Sequence, residues 1–222
     1  IKGEYKYPIV GARLGEYLVD LNAKVTKNDN VEFYDLSSSI GNRMYARSLE
    51  FLVTVASKKV MGEDTDILIN YSLENGIYCE ITGKKITGIT IKKIEEEMRR
   101  LVSSNLTFNY MIVDKFDAIE YFKKHKQMDK VNLLKYISNR TINLYCLDDV
   151  YDYFFGPLVY NTKILNKFDI IYLKENSFIL SYPTTNHPNK IKNYVEHELT
   201  SKTYKEFQKW GRLIGISTAP EL

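Results

Sequence analysis

The chain has 222 residues, 44% of them hydrophobic, 27% charged and 13% aromatic, which suits one large or two small folded domains and excludes a disordered chain. Its 31 Lys+Arg against 28 Asp+Glu leave a formal charge of +3, which excludes a partner chosen by bulk electrostatics, so any nucleic-acid or anion site must be local. His125, His187, His197, Cys79 and Cys146 are the complete set of His and Cys; they show no metal-ligand spacing and leave little for zinc or thiol chemistry. No stretch approaches the run of about 20 apolar residues that a membrane helix needs, so no membrane partner and a cytoplasmic location are expected. The chain begins at Ile1 and reads as trimmed at its N-terminus.

Residues 7–13, 16–21 and 30–35 read as short strands separated by Gly, Asn and Asp. From Met44 to Val60, Leu49, Leu52, Val53 and Ala56 recur at helical spacing, which predicts a helix with a buried stripe. Residues 65–72 and 77–81 then form a hairpin across Glu74-Asn75-Gly76, a turn that tolerates positive φ. A helix follows over 90–103, capped by Thr90, with Ile91, Ile94, Met98 and Leu101 on its apolar side and mixed charge on the other. Next come a strand over 107–113, a helix over 115–124 capped by Asp114, and a short helix over 128–137. Strands over 143–147 and 168–173 bracket a Tyr/Phe-rich loop, and 177–182 returns as a hairpin across Lys174-Glu175-Asn176. Helical periodicity resumes over 188–214 as a C-terminal arm. The order of elements is that of an α+β protein.

Gly83-Lys84-Lys85-Ile86-Thr87-Gly88 matches the spacing of a phosphate-binding loop, but Ile89 and Thr90 stand where Lys and Ser/Thr must follow. A turn leading into a helix explains both glycines. Each of the three histidines sits among polar neighbours and reads as a surface residue rather than a catalytic one.

Ordered motifs are more informative. Tyr45-Ala46-Arg47-Ser48-Leu49, then Ser72 to Glu80 (SLENGIYCE), then Ile94-Glu95-Glu96-Glu97-Met98, then Asp152-Tyr153-Phe154-Phe155-Gly156-Pro157 resemble, in this order, the N-terminal region of threonyl-tRNA synthetases. The same order resembles a bacterial family of uridine kinase-like nucleoside kinases, to which Tyr45 to Leu49 and Tyr204 to Gly211 look closer. The resemblance implies a partial TGS-like β-grasp unit over 1–43. An editing-domain-like α+β domain, an antiparallel sheet packed with helices, follows over 44–186, and a helical connector over 187–222 leads towards a further C-terminal domain.

In the editing domain of such synthetases, an H-x-x-x-H helix and a C-x-x-x-H loop form a cluster able to bind metal or substrate. The resemblance places the helix pair at Arg47 and Phe51, or with a one-residue shift at Ala46 and Glu50, and the loop pair at Phe154 and Leu158. Arg, Phe and Leu supply no metal ligand and no general base, so no metal and no catalytic residue are expected. The candidate binding cleft is Arg47, Phe51, Tyr78, Asp152, Phe154 and Leu158. In one reading Arg47 holds an anion or nucleotide while the aromatics of 151–155 stack on a base. In the other, which is preferred, Phe51, Phe154, Phe155 and Leu158 close the cleft as core and Arg47 pairs with Asp152 or Glu50.

The expected function is a non-catalytic regulatory or ligand-binding module of a nucleoside kinase. Its partners would be a P-loop kinase domain in cis and a nucleoside or nucleotide ligand, with ATP and Mg²⁺ belonging only to that further domain. The alternative is an RNA-binding or aminoacyl-tRNA editing-related domain of a threonyl-tRNA synthetase-like protein. Local Lys runs permit RNA contact, although the small net charge does not favour it.

Overall fold

The computed structural model of the chain describes residues 5–26, 30–73, 76–125, 127–173 and 175–192. β1 (Ile9–Leu14) pairs antiparallel with β2 (Tyr17–Val19) on one side and with β3 (Val31–Asp35) on the other. Val10 and Leu36 join this small sheet to the main core beside Met44. The approach at Gly11 admits no side chain, since a Cβ there would stand 2.4 Å from Met44 Sδ.

The first helix, α1 (Ser39–Met61), starts before the expected Met44 because Ser38 caps it in an extended conformation, its Oγ accepting from Gly41 N at 3.0 Å. Its periodic stripe begins only further along, so the sequence pattern alone could not place the start. β4 (Asp66–Leu73) and β5 (Gly76–Thr82) form the expected hairpin. β9 (Asp169–Tyr172) and β10 (Ser177–Ser181) form the second, and the sheet order is β4-β5-β10-β9. Ile77, Cys79 and Ile81 of β5, opposite Leu180 and Phe178 of β10, pack in the core with α1. The second helix, α2 (Gly88–Ser103), adds Ile91, Ile94, Met98 and Leu101 to that core. Its cap is Thr87 rather than Thr90: the Thr87 hydroxyl accepts from Thr90 N, and the Thr90 hydroxyl accepts from Thr87 N, each at 3.3 Å.

β6 (Asn109–Asp114), β7 (Thr141–Leu147) and β8 (Val150–Tyr153) make the third sheet. β8 corrects the expectation of a loop at 151–155. Asp148 and Asp149, with φ of 49° and 66°, form a two-residue turn between Leu147 and Val150, and aspartates in both positive-φ places are a weak turn signal beside Asn-Gly. The third helix, α3 (Lys115–Lys124), is capped by Asp114 as expected, and with α4 (Met128–Tyr136) it covers one face of this sheet. Ile142 and Leu144 of β7 pack there with Phe122, Val131 and Leu134, while Tyr145 and Leu147, pointing the other way, join the main core.

The protein is α+β, with three antiparallel sheets and, among the described residues, four α-helices. Most of the C-terminal arm, with His197, lies outside the described residues. The part within them, residues 188–192, follows the Thr184–His187 bridge as a turn and not as a helix. Among the described residues no helix is long and apolar enough to cross a membrane.

Candidate functional site

The cleft lies where α1 passes between the inner faces of the four-stranded sheet and the β6-β7-β8 sheet. Arg47, Glu50, Thr54 and Lys58 recur at spacings of three and four residues, so they form a polar line along an otherwise buried helix. Phe51, fully buried, sits beside that line. Its ring centroid is 5.2 Å from that of Phe154 and 5.9 Å from that of Phe108. Leu158 is 1% exposed and belongs to the same core. Three of the four positions that the resemblance assigns to a ligand cluster are therefore in apolar contact or buried.

Arg47, the fourth, is half-buried. Its Nη1 donates to the Pro157 carbonyl at 2.9 Å, so it does not take up the pairing with Asp152 or Glu50 expected of a closed cleft. Burial lowers the guanidinium pKa and the neighbouring Glu50 opposes that shift. Gly156 makes the contact with Pro157 feasible: its φ is +103°, and a Cβ there would lie 3.0 Å from Arg47 Nη1. Asp152, on β8 and 4% exposed, instead accepts from Lys130 Nζ of α4 and from Tyr153 N at 2.7 Å. The Lys130 ammonium also lies 5.6 Å from the centre of the Phe154 ring.

Two further expectations are corrected. Tyr78 pairs with Ile179 in the sheet, so it points to the face opposite Cys79 and away from α1, where it stacks on Tyr71 at 5.0 Å. Phe155 is 87% exposed and fills nothing, because Phe154 takes the inward place.

The groups that do face Glu50 include several that sequence reasoning did not single out. Burial pushes the Glu50 carboxyl up to about 7, opposed by Arg47 and Lys130 and reinforced by Asp152. Burial also raises the Cys79 thiol, with Glu50 adding to the shift, and it pushes the Tyr182 phenol up to about 12, again with Glu50 adding. Lys58 is held below its ordinary value by burial, while Asp66 and Asp152 pull it back. The signal that could have found Glu50 and Lys58 was the polar line on a helix whose other positions are apolar. Lys130 had no such signal, since it comes from a separate helix.

Chemically the cleft offers a carboxyl able to exchange a proton near neutral pH, one carboxylate–ammonium pair and an arginine tied to backbone. It offers no thiolate, because Cys79 is held protonated by burial. Arg47, Phe51, Phe154 and Leu158 present no donor set that fits a metal ion, and among the described residues no group of three or more His, Cys, Asp or Glu could hold one. His125 is exposed and His187 half-buried on the surface, both away from the cleft.

No family model matches the chain. It is similar to a threonine-tRNA ligase of Sulfurihydrogenibium sp. (strain YO3AOP1), with 24% identity over 176 residues that make up 77% of this chain and 27% of the ligase. It is similar to a second threonine-tRNA ligase, of Syntrophotalea carbinolica, with 28% identity over 165 residues, 72% of this chain and 26% of that one. A probable cytoplasmic threonine-tRNA ligase of Enterocytozoon bieneusi is 24% identical over 164 residues, 73% of this chain and 25% of the relative. The chain thus spans about a quarter of the length of the curated relatives it matches. They stand on the synthetase side of the resemblance and lend the nucleoside-kinase parentage no support.

Proposed function

We propose that the chain is a tRNA-synthetase-like domain of the editing type that contacts tRNA and does not hydrolyse aminoacyl-tRNA. The observation that carries this reading is the contact of Phe51 with Phe154 at 5.2 Å, with Leu158 buried beside them, at the positions where the synthetase resemblance puts a hydrolytic cluster. Hydrolysis of an aminoacyl ester needs a base or an activated water at the ester carbonyl, and phenyl and isobutyl groups supply neither. Contact with RNA is supported by half-buried Arg47 with exposed Arg43 one turn away, by exposed Tyr110 and Phe155, which offer stacking surfaces, and by Lys123 and Lys124 at the end of α3.

The test is a paired assay with threonine-specific tRNA. A filter-binding titration is expected to show binding that weakens steeply with salt, and serine-charged tRNA is expected to lose serine no faster with the protein than in buffer. Deacylation above the buffer rate would sink the non-hydrolytic reading. Absence of binding at low salt would sink the RNA-contacting one. A nucleoside-kinase module is the weaker reading, because the motif that tips towards it, Tyr204 to Gly211, lies outside the described residues.

A further inference from the structure

Five sheet edges carry a feature that discourages pairing with another chain. β2 is three residues long, and β8 and β9 are four each. β3 bears Glu32 and Asp35, while β4 opens at Asp66 and is bulged between Ile69 and Tyr71. β6 has no such feature. From Thr107 to Val113 the chain has no charged residue. Tyr110, Met111 and Ile112 are 52%, 44% and 69% exposed, so both faces of the strand present apolar side chains to water. β6 lies at the end of the order β6-β7-β8, and among the described residues no strand pairs with its outer side, which leaves every second residue's N–H and C=O directed outwards.

We propose that β6 is a self-association edge: a second copy of this chain lays its own β6 antiparallel against it and joins the two three-stranded sheets into one. Charge placement selects a second copy as the occupant. The charges beside the strand stand at one end only, Asp114, Lys115 and Arg140, with Arg140 Nε 3.4 Å from Asp114 Oδ2. Antiparallel pairing of identical strands sets that charged end against the neutral end, Phe108 and Asn109, of the other copy, so no like charges face each other.

Centring the pair on Met111 places Tyr110 opposite Ile112 of the partner subunit, on the face where Tyr110 already packs against Tyr145 at 5.6 Å. The two-fold axis then runs through Met111, as in any isologous contact. The exposed parts of these side chains with the paired backbone amount to roughly 1,000 Å² over both copies, near the lower bound for a specific interface. The dimer is accordingly weak and concentration-dependent.

Sedimentation velocity of the 222-residue chain from micromolar to millimolar concentration tests this. A monomer–dimer equilibrium is expected. Ile112→Lys should abolish it with unchanged circular dichroism and melting temperature, because that side chain is exposed. Tyr17→Lys, on β2 and 77% exposed, should leave it intact. Adding Tyr110→Glu to Ile112→Lys sets opposite charges across the axis and should restore dimer at low salt. A chain monomeric throughout, a dimer that persists in folded Ile112→Lys, or equal loss in Tyr17→Lys overturns the proposal. Failure of the double variant to regain dimer overturns the register.

Discussion

The two faces of the β6-β7-β8 sheet are built for different ends. Towards α3 and α4, Ile142 and Leu144 close an apolar cluster with Ala118, Phe122, Val131 and Leu134. Towards α1, the same strands present Tyr145 and Asp152 to a helix bearing Arg47, Glu50 and Lys58. The alternation of a strand thus puts stability on one face and titratable groups on the other, within a single sheet. Lys130 alone crosses between them, reaching from α4 to Asp152. A hydrolytic cleft would keep its second face open; here Phe51, Phe154 and Leu158 give part of it the character of the first.

Removing that filling tests the comparison most severely. Phe51→Ala should lower the unfolding free energy by about 3–5 kcal/mol, as for any fully buried Phe, and urea denaturation would read it. A loss of under about 1 kcal/mol would mean the cleft side is a loosely covered site and not core.

The next effect concerns pH. Glu50 titrates near 4.5 when unperturbed and about 7 in the fold, so the folded state holds its proton over a range in which the unfolded chain has lost it. Its contribution is fully present below 4.5 and is lost as pH rises through about 7. Glu50→Gln should therefore raise the melting temperature more at pH 8 than at pH 5, and thermal melts of the two proteins should converge on the acid side. Parallel curves across this range would place Glu50 in water, outside the cleft's low-dielectric interior.

The smallest change is expected at the rim. Gly156→Ala forces a Cβ on a residue with φ of +103° and crowds the Arg47 guanidinium, for a loss of about 1–2 kcal/mol. The same denaturation experiment measures it, and a neutral outcome would show that the Arg47–Pro157 contact is dispensable.

What the sequence disclosed tracks how local each determinant is. Leu49, Leu52, Val53 and Ala56 announce α1 by their spacing, Asp114 announces α3, and Asn75-Gly76 announces the β4–β5 hairpin. Caps formed one turn upstream were less legible: Thr87 and Thr90 bond reciprocally, and either hydroxyl satisfies the pattern. β8 was hidden because its turn uses two aspartates. In the cleft, Arg47, Phe51, Phe154 and Leu158 could be named from motif order, but the side of the sheet that Tyr78 occupies depends on strand register, and the Lys130–Asp152 pair depends on how α4 docks. Both are tertiary facts with no local signature. Cys79, one residue from Tyr78, faces Glu50 for the same reason that Tyr78 does not.

The segment after Gly156 is moored to α1 at two successive helix positions. Arg47 Nη1 donates to Pro157 O at 2.9 Å, and Ser48 Oγ, itself donating to Met44 O at 2.7 Å, accepts from Val159 N at 2.9 Å. Lifting this wall away from the helix breaks both contacts with Pro157 and Val159 and leaves the hydroxyl and amide buried in a region that water does not enter. At about 1 kcal/mol or more for each bond, the raised conformer holds on the order of 1% of molecules at equilibrium. A compound that required it would have its apparent affinity reduced about a hundredfold before making any contact of its own.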